Sequence, residues 1–195
     1  MKRLELADIL DLREYERVRP EYLQKIIAKK KLRRVHVGPL VSLVFENRDT
    51  VVFQIQEMAR AEKISTDEGI QVELDIYNSL IPDLSELKAT LFIELTSEAD
   101  LKEWLPKLVG IEKSVFISDV NLKEVIYSVP LSEHEKLLTK EDITASVHYI
   151  SFNLSSLKED LTVGKFIVGI EHKNYNFRVE IDGDYAREVL SDLEV

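Results

Sequence analysis

Apolar and polar residues alternate with a period of two along several short runs of this chain. In the clearest run, apolar side chains stand at Tyr175, Phe177, Val179 and Ile181, with polar residues between them. A second apolar run, over 165–172, precedes it, and only Lys173-Asn174 separate the two. Since successive side chains of a strand point to opposite faces, the pattern predicts a β-hairpin. We expect Phe177 and Val179 to lie in the core, with Arg178 and Glu180 on the other face.

Further strands and helices are predicted from the same kind of periodicity. Strands are expected over 34–37, 40–46, 89–96, 114–119, 123–129 and 145–154. In the N-terminal part, helices are expected from Asp8 or Asp11 to 18 and over 20–32. Two more are expected in the middle, one from Asn47 or Asp49 to 63 and one from the Ser65–Glu68 capping box to before Pro82. The remaining helices are expected over 98–108, 130–138 and 184–193. Pro20 is expected to separate the first two helices, because a residue before proline avoids the α region.

Strands joined by short turns pair antiparallel. The order of elements therefore predicts an α+β fold: a mainly antiparallel sheet, with the helices packed on one face or gathered at one end. The length of 195 residues predicts a single domain over 1–195. Within it we expect an N-terminal helical arm over 1–34, a hairpin and helical pair over 35–87, and a mainly antiparallel β region with a closing helix over 88–195.

The composition excludes several classes of protein. The chain has no Cys, which excludes a disulfide framework and thiol or cysteine-bound metal chemistry. No apolar run approaches the roughly 20 residues that span a bilayer, and the N-terminus has no signal-peptide core, so a cytoplasmic protein is expected. Few Gln and many charged residues are typical of a thermophile.

The net charge of −10 is unevenly distributed. Residues 1–63 carry 14 Lys and Arg against 10 Asp and Glu, whereas residues 64–195 carry 12 against 26. An acidic body disfavours nucleic-acid binding. The basic run over 25–34 could bind an acidic partner, RNA or phosphate, or complement the dipole of a helix C-terminus.

Short catalytic motifs are absent from the sequence. It contains no Gly-x-Gly-x-x-Gly, complete phosphate loop, His-Glu-x-x-His, Glu-x-x-His or Gly-x-Ser-x-Gly pattern. These absences exclude the commonest nucleotide-binding, zinc-protease, ferritin-like and hydrolase classes, and leave enzymes without short motifs.

Charged residues interrupt the apolar faces of the two helices predicted over 48–81. On a helical wheel, Arg48 and Glu62 fall within the apolar face of the first helix, and Glu73 falls within that of the second. A carboxylate in apolar surroundings must be paired, protonated or bound to a cation. We expect Arg48 or Arg60 to pair with Glu62 and Glu73. The interpretations that remain are a structural ion pair, a frayed last helical turn in the case of Glu62, and an acid–base or hard-metal site.

Other candidate residues are an aromatic side chain and three histidines. Phe53 lies among polar residues, so it belongs either to an exposed contact surface or under a second layer. The secondary candidates His36, His148 and His172 lie on the less apolar faces or ends of predicted strands. They would meet if those faces coincide, and otherwise they are hydrogen-bonded structural residues.

Several segments together resemble a known family. They are Asp8-Ile9-Leu10, Tyr15-Glu16, 45–51, 54–58, 60–62, Glu73-Leu74, Tyr77-Asn78, Ile81-Pro82, 89–94, Ile170-Glu171-His172 and Tyr175. The chain is similar in them to the uncharacterised prokaryotic family called domain of unknown function 3501. One position departs from the family pattern, because Lys173 stands where the family has a proline.

The resemblance implies a metabolic role for the protein but no catalytic mechanism. Members of that family are encoded near rubrerythrin-like and iron–sulfur oxidoreductase proteins. This implies an accessory role in redox or oxidative-stress metabolism, with such a redox protein as the partner. Together with the missing catalytic motifs and the dense polar motif, it predicts a non-enzymatic accessory or partner-binding protein. A second copy of the chain is the other candidate partner. The alternative is a metal-dependent or acid–base enzyme that uses carboxylates and arginines of the helical pair over 46–78. The candidate cluster for either function is Glu46, Arg48, Gln54, Gln56, Glu57, Arg60, Glu62, Glu73 and Asn78.

Overall fold

The computed structural model describes residues 1–131, 142–157, 161 and 164–193. Its α-helices are α1 (Leu12–Arg33), α2 (Arg48–Glu62), α3 (Asp67–Tyr77), α4 (Glu98–Lys107) and α5 (Gly183–Leu190). Its strands are β1 (Arg34–His36), β2 (Val41–Glu46), β3 (Glu86–Ile93), β4 (Val115–Ser118), β5 (Val125–Tyr127), β6 (Val129–Pro130), β7 (Val147–Asn153), β8 (Phe166–His172) and β9 (Tyr175–Ile181). Residues 132–138 of the predicted connecting helix lie outside the described residues.

The strands form two antiparallel sheets. The first sheet has the order β1-β2-β3-β7-β6, and the second has the order β5-β4-β8-β9. The α+β class and the antiparallel pairing are confirmed. The predicted strand over 123–129 is divided, because β5 pairs with β4 in the second sheet whereas β6 pairs with β7 in the first. Between them, the Ser128 N–H and hydroxyl bond to backbone oxygens of Val115 and Glu112, at 2.8 and 2.7 Å.

The inner faces of the two sheets enclose the main core. Phe45 of the first sheet meets Phe166 of the second, with ring centroids 6.3 Å apart and nearly perpendicular planes. Buried aliphatic residues of β3, β4, β7 and β8 surround this pair, and Ala186 and Val189 of α5 close the core. The alternation along the strands thus decides which side chains face the partner sheet.

The helices α2 and α3 cover the outer face of the first sheet. Val51 and Ile55 of α2 and Leu74 of α3 form a second core with Leu80 and Ile81. Asn47 caps α2, because its side chain accepts hydrogen bonds from the N–H groups of residues 49 and 50. Thr66, rather than the predicted Ser65, caps α3. No described helix combines the length and apolar character of a membrane-spanning segment.

Helix α1 continues through Pro20, so the predicted break there is wrong. Tyr15 and Arg19 before the proline both contact α2, and Tyr22 after it packs on Phe53 of α2 with ring centroids 6.1 Å apart. The proline lies on the exposed side of the helix. Water can therefore reach the carbonyl that loses its donor, and contacts on both sides of Pro20 outweigh the local preference.

Phe177 is not a core residue, which corrects the prediction for β9. Tyr175 and Ile181 on the same face are buried, so the alternation is confirmed, but Phe177 is 42% exposed. The strand lies at the edge of the second sheet, and the Phe177 ring rests on Gly38 and on the Tyr175 ring instead of entering the main core. Arg178 and Glu180 are exposed on the other face, as expected.

Candidate functional site

The predicted candidate cluster divides into two groups in the structure. The first group, called here the N-terminal clasp, contacts the segment before α1 or α1 itself; it consists of Arg48, Gln56, Glu57, Arg60 and Asn78. The second group, called here the polar cluster, lies between the helical pair and the first sheet or at its rim; it consists of Glu46, Gln54, Glu62 and Glu73, joined by Tyr77, Thr90 and Tyr149.

Two amides of the N-terminal clasp hold an irregular stretch of backbone. Gln56 accepts from the Leu10 N–H at 2.8 Å and donates to the Leu10 carbonyl at 3.1 Å. Asn78 does the same for Leu4, at 2.8 and 3.0 Å. These side chains supply the hydrogen bonds that the segment would otherwise obtain from a sheet or from water. Their role in the structure is to fix the N-terminus on the helical pair.

The charged members of the clasp are used in ion pairs. Glu57 accepts from the Tyr15 hydroxyl at 2.7 Å and from two nitrogens of Arg19 at 2.8 Å each, and the bond with Arg19 lowers the pKa of Glu57. Arg60 pairs with Glu16 at 2.5 Å, which attaches a further turn of α1. These contacts join α1 to α2 on one side.

Arg48 binds Asp8 of the N-terminal segment at 2.5 Å. The Glu5 N–H and then Arg48 lower the pKa of Asp8, so this carboxyl stays ionised. The expected pairing of Arg48 or Arg60 with Glu62 and Glu73 is therefore wrong. Both guanidinium groups point toward the chain that precedes the motif, which a helical wheel cannot place.

The polar cluster begins with sheet residues on the helix-covered face. Glu46 and Thr90 point to this face of β2 and β3, and Tyr149 lies beside Thr90 on β7. Glu46 is 2% exposed, and its Oε1 accepts from the Thr90 hydroxyl at 2.6 Å. Among the described residues, no donor reaches the other oxygen, Oε2. A buried carboxylate oxygen without a donor is costly, which distinguishes this position from an ordinary core site.

Two phenols and an amide extend the cluster toward the helices. The Gln54 side chain on α2 hydrogen-bonds to Tyr77 of α3 and to Tyr149 of β7. Burial raises the pKa of both phenols, and the bond with Gln54 opposes this increase. Both tyrosines are thus protonated near neutral pH and can donate a hydrogen bond.

Glu62 and Glu73 lie at the rim of the cluster. Glu62 is exposed at the end of α2, whereas Glu73 is 8% exposed, and no described cation forms an ion pair with it. Burial, and then the negative charge of Glu62, raise the pKa of Glu73. The two carboxylates therefore repel each other instead of sharing an arginine.

Replacing Glu73 with glutamine is expected to raise the free energy of unfolding at neutral pH, by up to about 1 kcal/mol. The pKa of Glu73 in the folded protein lies above its value in the unfolded chain. The protonated carboxyl therefore contributes fully to the free energy of unfolding of the wild type at acidic pH, below the unfolded pKa. This contribution is lost as the pH rises through the folded pKa. The stability of Glu73→Gln relative to the wild type should therefore increase over the same pH range.

Urea unfolding near pH 4 and near pH 7 measures this difference. Asp75→Asn on the exposed face of α3 is the control. A loss of stability in Glu73→Gln at neutral pH would instead reveal a structural cation partner.

The three candidate histidines occupy separate environments. His36 is exposed, with Glu94 at 3.8 Å. The ring of His148 is buried against the Thr144 hydroxyl and the Ala145 carbonyl, at 2.8 and 2.9 Å, and His172 lies 3.1 Å from the Val109 carbonyl. Within the described ranges, no group of three or more His, Asp or Glu residues is arranged to hold a metal ion.

The basic run over 25–34 is partly used within the fold. Lys29 pairs with Asp49 at 2.5 Å, Arg34 pairs with Glu94 at 2.8 Å, and Arg33 is fully buried. Lys30 lies over the Phe53 ring, 5.3 Å from its centre. Phe53 is therefore under a second layer of structure, formed by α1, which decides between the two interpretations of that residue.

Sequence reasoning did not single out Thr90, Tyr77 and Tyr149 as functional residues. The sequence does hold one signal for them, which is a polar atom in apolar surroundings. Thr90 stands between apolar residues of a strand, and Tyr77 and Tyr149 each carry a hydroxyl. Only the register of β3 with β2 and β7 shows that these groups meet Glu46 and Gln54.

Comparison with known proteins agrees with the fold. A crystal structure of a protein of unknown function from Burkholderia pseudomallei is 36% identical in sequence and superposes with a TM-score of 0.90, over 98% of this chain and 100% of that chain. The comparison with curated proteins gives no match. Residues 3–193 match the family described as "Protein of unknown function (DUF3501)". The match covers nearly the whole chain, and the chain therefore belongs to the DUF3501 family.

Proposed function

We propose that this protein is a non-enzymatic accessory protein that binds a partner in redox or oxidative-stress metabolism. The proposal rests on one observation: most polar residues of the candidate cluster form contacts within the fold. Arg48, Gln56, Glu57, Arg60 and Asn78 bind the N-terminal segment and α1. The arginines that a charge-stabilising active site would need are engaged in these contacts.

The amino-acid composition favours an accessory role in redox metabolism over a direct one. The 195 residues include no Cys, so this chain supplies no thiolate for an iron–sulfur cluster and no thiol for disulfide exchange. A role in redox metabolism would therefore be exerted through a partner protein that carries the redox centre. Rubrerythrin-like proteins and iron–sulfur oxidoreductases are the partners that the family resemblance implies.

The outer face of the second sheet is the surface that we propose for this partner. A groove of about 540 Å³ lies on it, lined by Phe116, Leu122, Val125, Tyr127, Glu171, Asn176, Phe177 and Arg178. The Phe116 ring lies against Gly169, where a Cβ would come within 2.2 Å of a ring carbon. Exposed apolar residues beside polar groups are typical of protein-binding surfaces.

The partner can be tested with purified proteins. A rubrerythrin-like protein and an iron–sulfur oxidoreductase from the same organism should each be titrated into this protein in a calorimeter. Tyr127→Ser is expected to weaken binding about tenfold or more, because Tyr127 is exposed in the groove and hydrogen-bonds to Glu171 at 2.5 Å. Ile27→Ser, at an exposed position of α1, is the control. Absence of binding to both proteins, or equal loss in both variants, would contradict the proposal.

An acid–base enzyme is a second candidate, favoured by one observation in the polar cluster. Glu46 Oε2 is buried without a described donor, and the Tyr149 phenol, which can donate a hydrogen bond, lies close to this carboxylate. A small polar ligand placed there would meet Glu46, Gln54 and Tyr149 together. In this form the alternative uses carboxylates and phenols rather than the arginines of the helical pair.

A thermal-shift screen of small polar metabolites tests this second candidate. A ligand of the polar cluster should raise the melting temperature of the wild type and of Glu112→Gln, but not that of Glu46→Gln. Glu112 is the matched control, because it is also a buried glutamate with one oxygen lacking a donor, and it lies outside the cluster. A screen without such a ligand would favour the accessory role.

A further inference from the structure

We infer that strand β9 pairs with β9 of a second copy of this chain, antiparallel about a two-fold axis at Val179. The strand is the last of the second sheet and pairs with β8 on one side. This pairing would join two four-stranded sheets into one continuous sheet. The inference does not rest on the proposed redox partner, but the two interfaces share Asn176, Phe177 and Arg178 of β9.

Within the part of the chain that the structure describes, the hydrogen-bond pattern shows which backbone groups of β9 have no partner strand. The Glu171 N–H donates to the Ser114 carbonyl at 2.8 Å, so Glu171 turns its backbone toward β4. The next residue, His172, therefore turns toward β9, where it faces Tyr175. Because backbone direction alternates along an antiparallel ladder, Asn176, Arg178 and Glu180 turn their N–H and C=O groups outward.

Two of the usual protections against strand addition, a bulge and a proline, are missing from this edge, although it carries the charged residues Arg178 and Glu180. The register from Phe166 and Ile181 to His172 and Tyr175 runs without a bulge, and β9 contains no proline. A groove of about 280 Å³ runs beside the strand, with Arg34–His36 of β1 on its other wall. An incoming strand therefore has both free backbone groups and room beside them.

Charge decides the register of the pair. With the axis at Val179, Arg178 of each copy faces Glu180 of the other, and their outward backbone groups meet in hydrogen-bonded pairs. With the axis at Arg178, two arginines would face each other, which is unfavourable. Among the described residues Arg178 has no ion pair, whereas Glu180 binds Lys165 at 3.1 Å. The chosen register supplies the missing partner of Arg178 and leaves Glu180 between two cations.

The apolar side of β9 agrees with the same register. The axis at Val179 places Val179 opposite its own copy and Phe177 opposite Ile181. Phe177 is 42% exposed and Val179 is half-buried in the single chain. Pairing covers both, so the residue that the core leaves exposed gains an apolar neighbour.

Sedimentation equilibrium of the wild-type chain and two variants tests the inference. The wild type is expected to dimerise. Arg178→Glu places like charges opposite each other and should weaken dimerisation at least about tenfold, and the double variant Arg178→Glu/Glu180→Arg should restore part of it. Lys173→Glu, an exposed charge change in the β8–β9 turn, is the control.

A backbone variant separates strand pairing from other effects of charge. Arg178→Pro removes an outward N–H and leaves the ladder with β8 intact, so it should abolish the dimer while the circular dichroism spectrum is unchanged. Hydrogen exchange at the amides of Arg178 and Glu180 should slow as protein concentration rises. A wild type that is monomeric at about 100 μM, well above a micromolar dissociation constant, would overturn the inference. A dimer that Arg178→Pro leaves intact would do the same.

Discussion

Replacing Arg33 with methionine is expected to lower the free energy of unfolding by about 3–5 kcal/mol. Arg33 is fully buried at the end of α1, where it forms ion pairs with Asp192 and, at 3.0 Å, with Glu188. Its Nε also donates to the Phe45 carbonyl at 2.7 Å. The variant leaves Asp192 buried without its counter-charge, and burial already raises the pKa of this carboxyl.

Urea unfolding of Arg33→Met measures this loss, with Arg34→Met as the control. Arg34 pairs with Glu94 at 2.8 Å but is partly exposed, so its replacement should cost at most about 1 kcal/mol. The double variant Arg33→Met/Asp192→Asn should be more stable than Arg33→Met alone, because the buried carboxylate without a counter-charge is gone and Glu188 is partly exposed. Equal stability of Arg33→Met and the wild type would mean that α5 is not held by this ion pair.

Replacing Phe45 with alanine is expected to lower the free energy of unfolding by about 3–5 kcal/mol. Phe45 is completely buried on the inner face of β2 and packs edge-on against Phe166, so it joins the two sheets. The truncated side chain leaves a cavity that two rigid sheets cannot close.

Phe177→Ala is the matched control for this second variant and should cost much less, about 1 kcal/mol, because Phe177 is 42% exposed at the sheet edge. Thermal or urea unfolding of the two variants under one set of conditions gives the comparison. Similar losses in both would show that β9 is a core strand and that its edge is not free.

Local patterns of the sequence were sufficient for most elements of the fold. The hairpin of β8 and β9 and the helix α2 follow from residues adjacent in sequence: a period-two alternation, and a capping Asn47 before a helical repeat. The same local information failed at Pro20, where it predicts two helices. Contacts of Tyr15, Arg19 and Tyr22 with α2, which are distant in sequence, hold one continuous helix there.

The position of a strand within its sheet could not be predicted in this way. Alternation identifies the apolar face of β9, but the burial of Phe177 depends on whether another strand follows β9 in the sheet. That is a property of the strand order β5-β4-β8-β9, which brings together segments from separate parts of the chain. The edge position turns a predicted core residue into part of a proposed interface.

The candidate site shows the same division. By itself the sequence determined the α+β class, the antiparallel strands and a helical pair dense in polar residues, because each depends on neighbours a few positions apart. Tertiary structure alone decided that Arg48 and Arg60 bind Asp8 and Glu16, and that Glu46 lies buried beside Thr90. The physical reason is that the partner of a buried charge is chosen by distance in space, and that distance is set by the packing of elements that no local periodicity records.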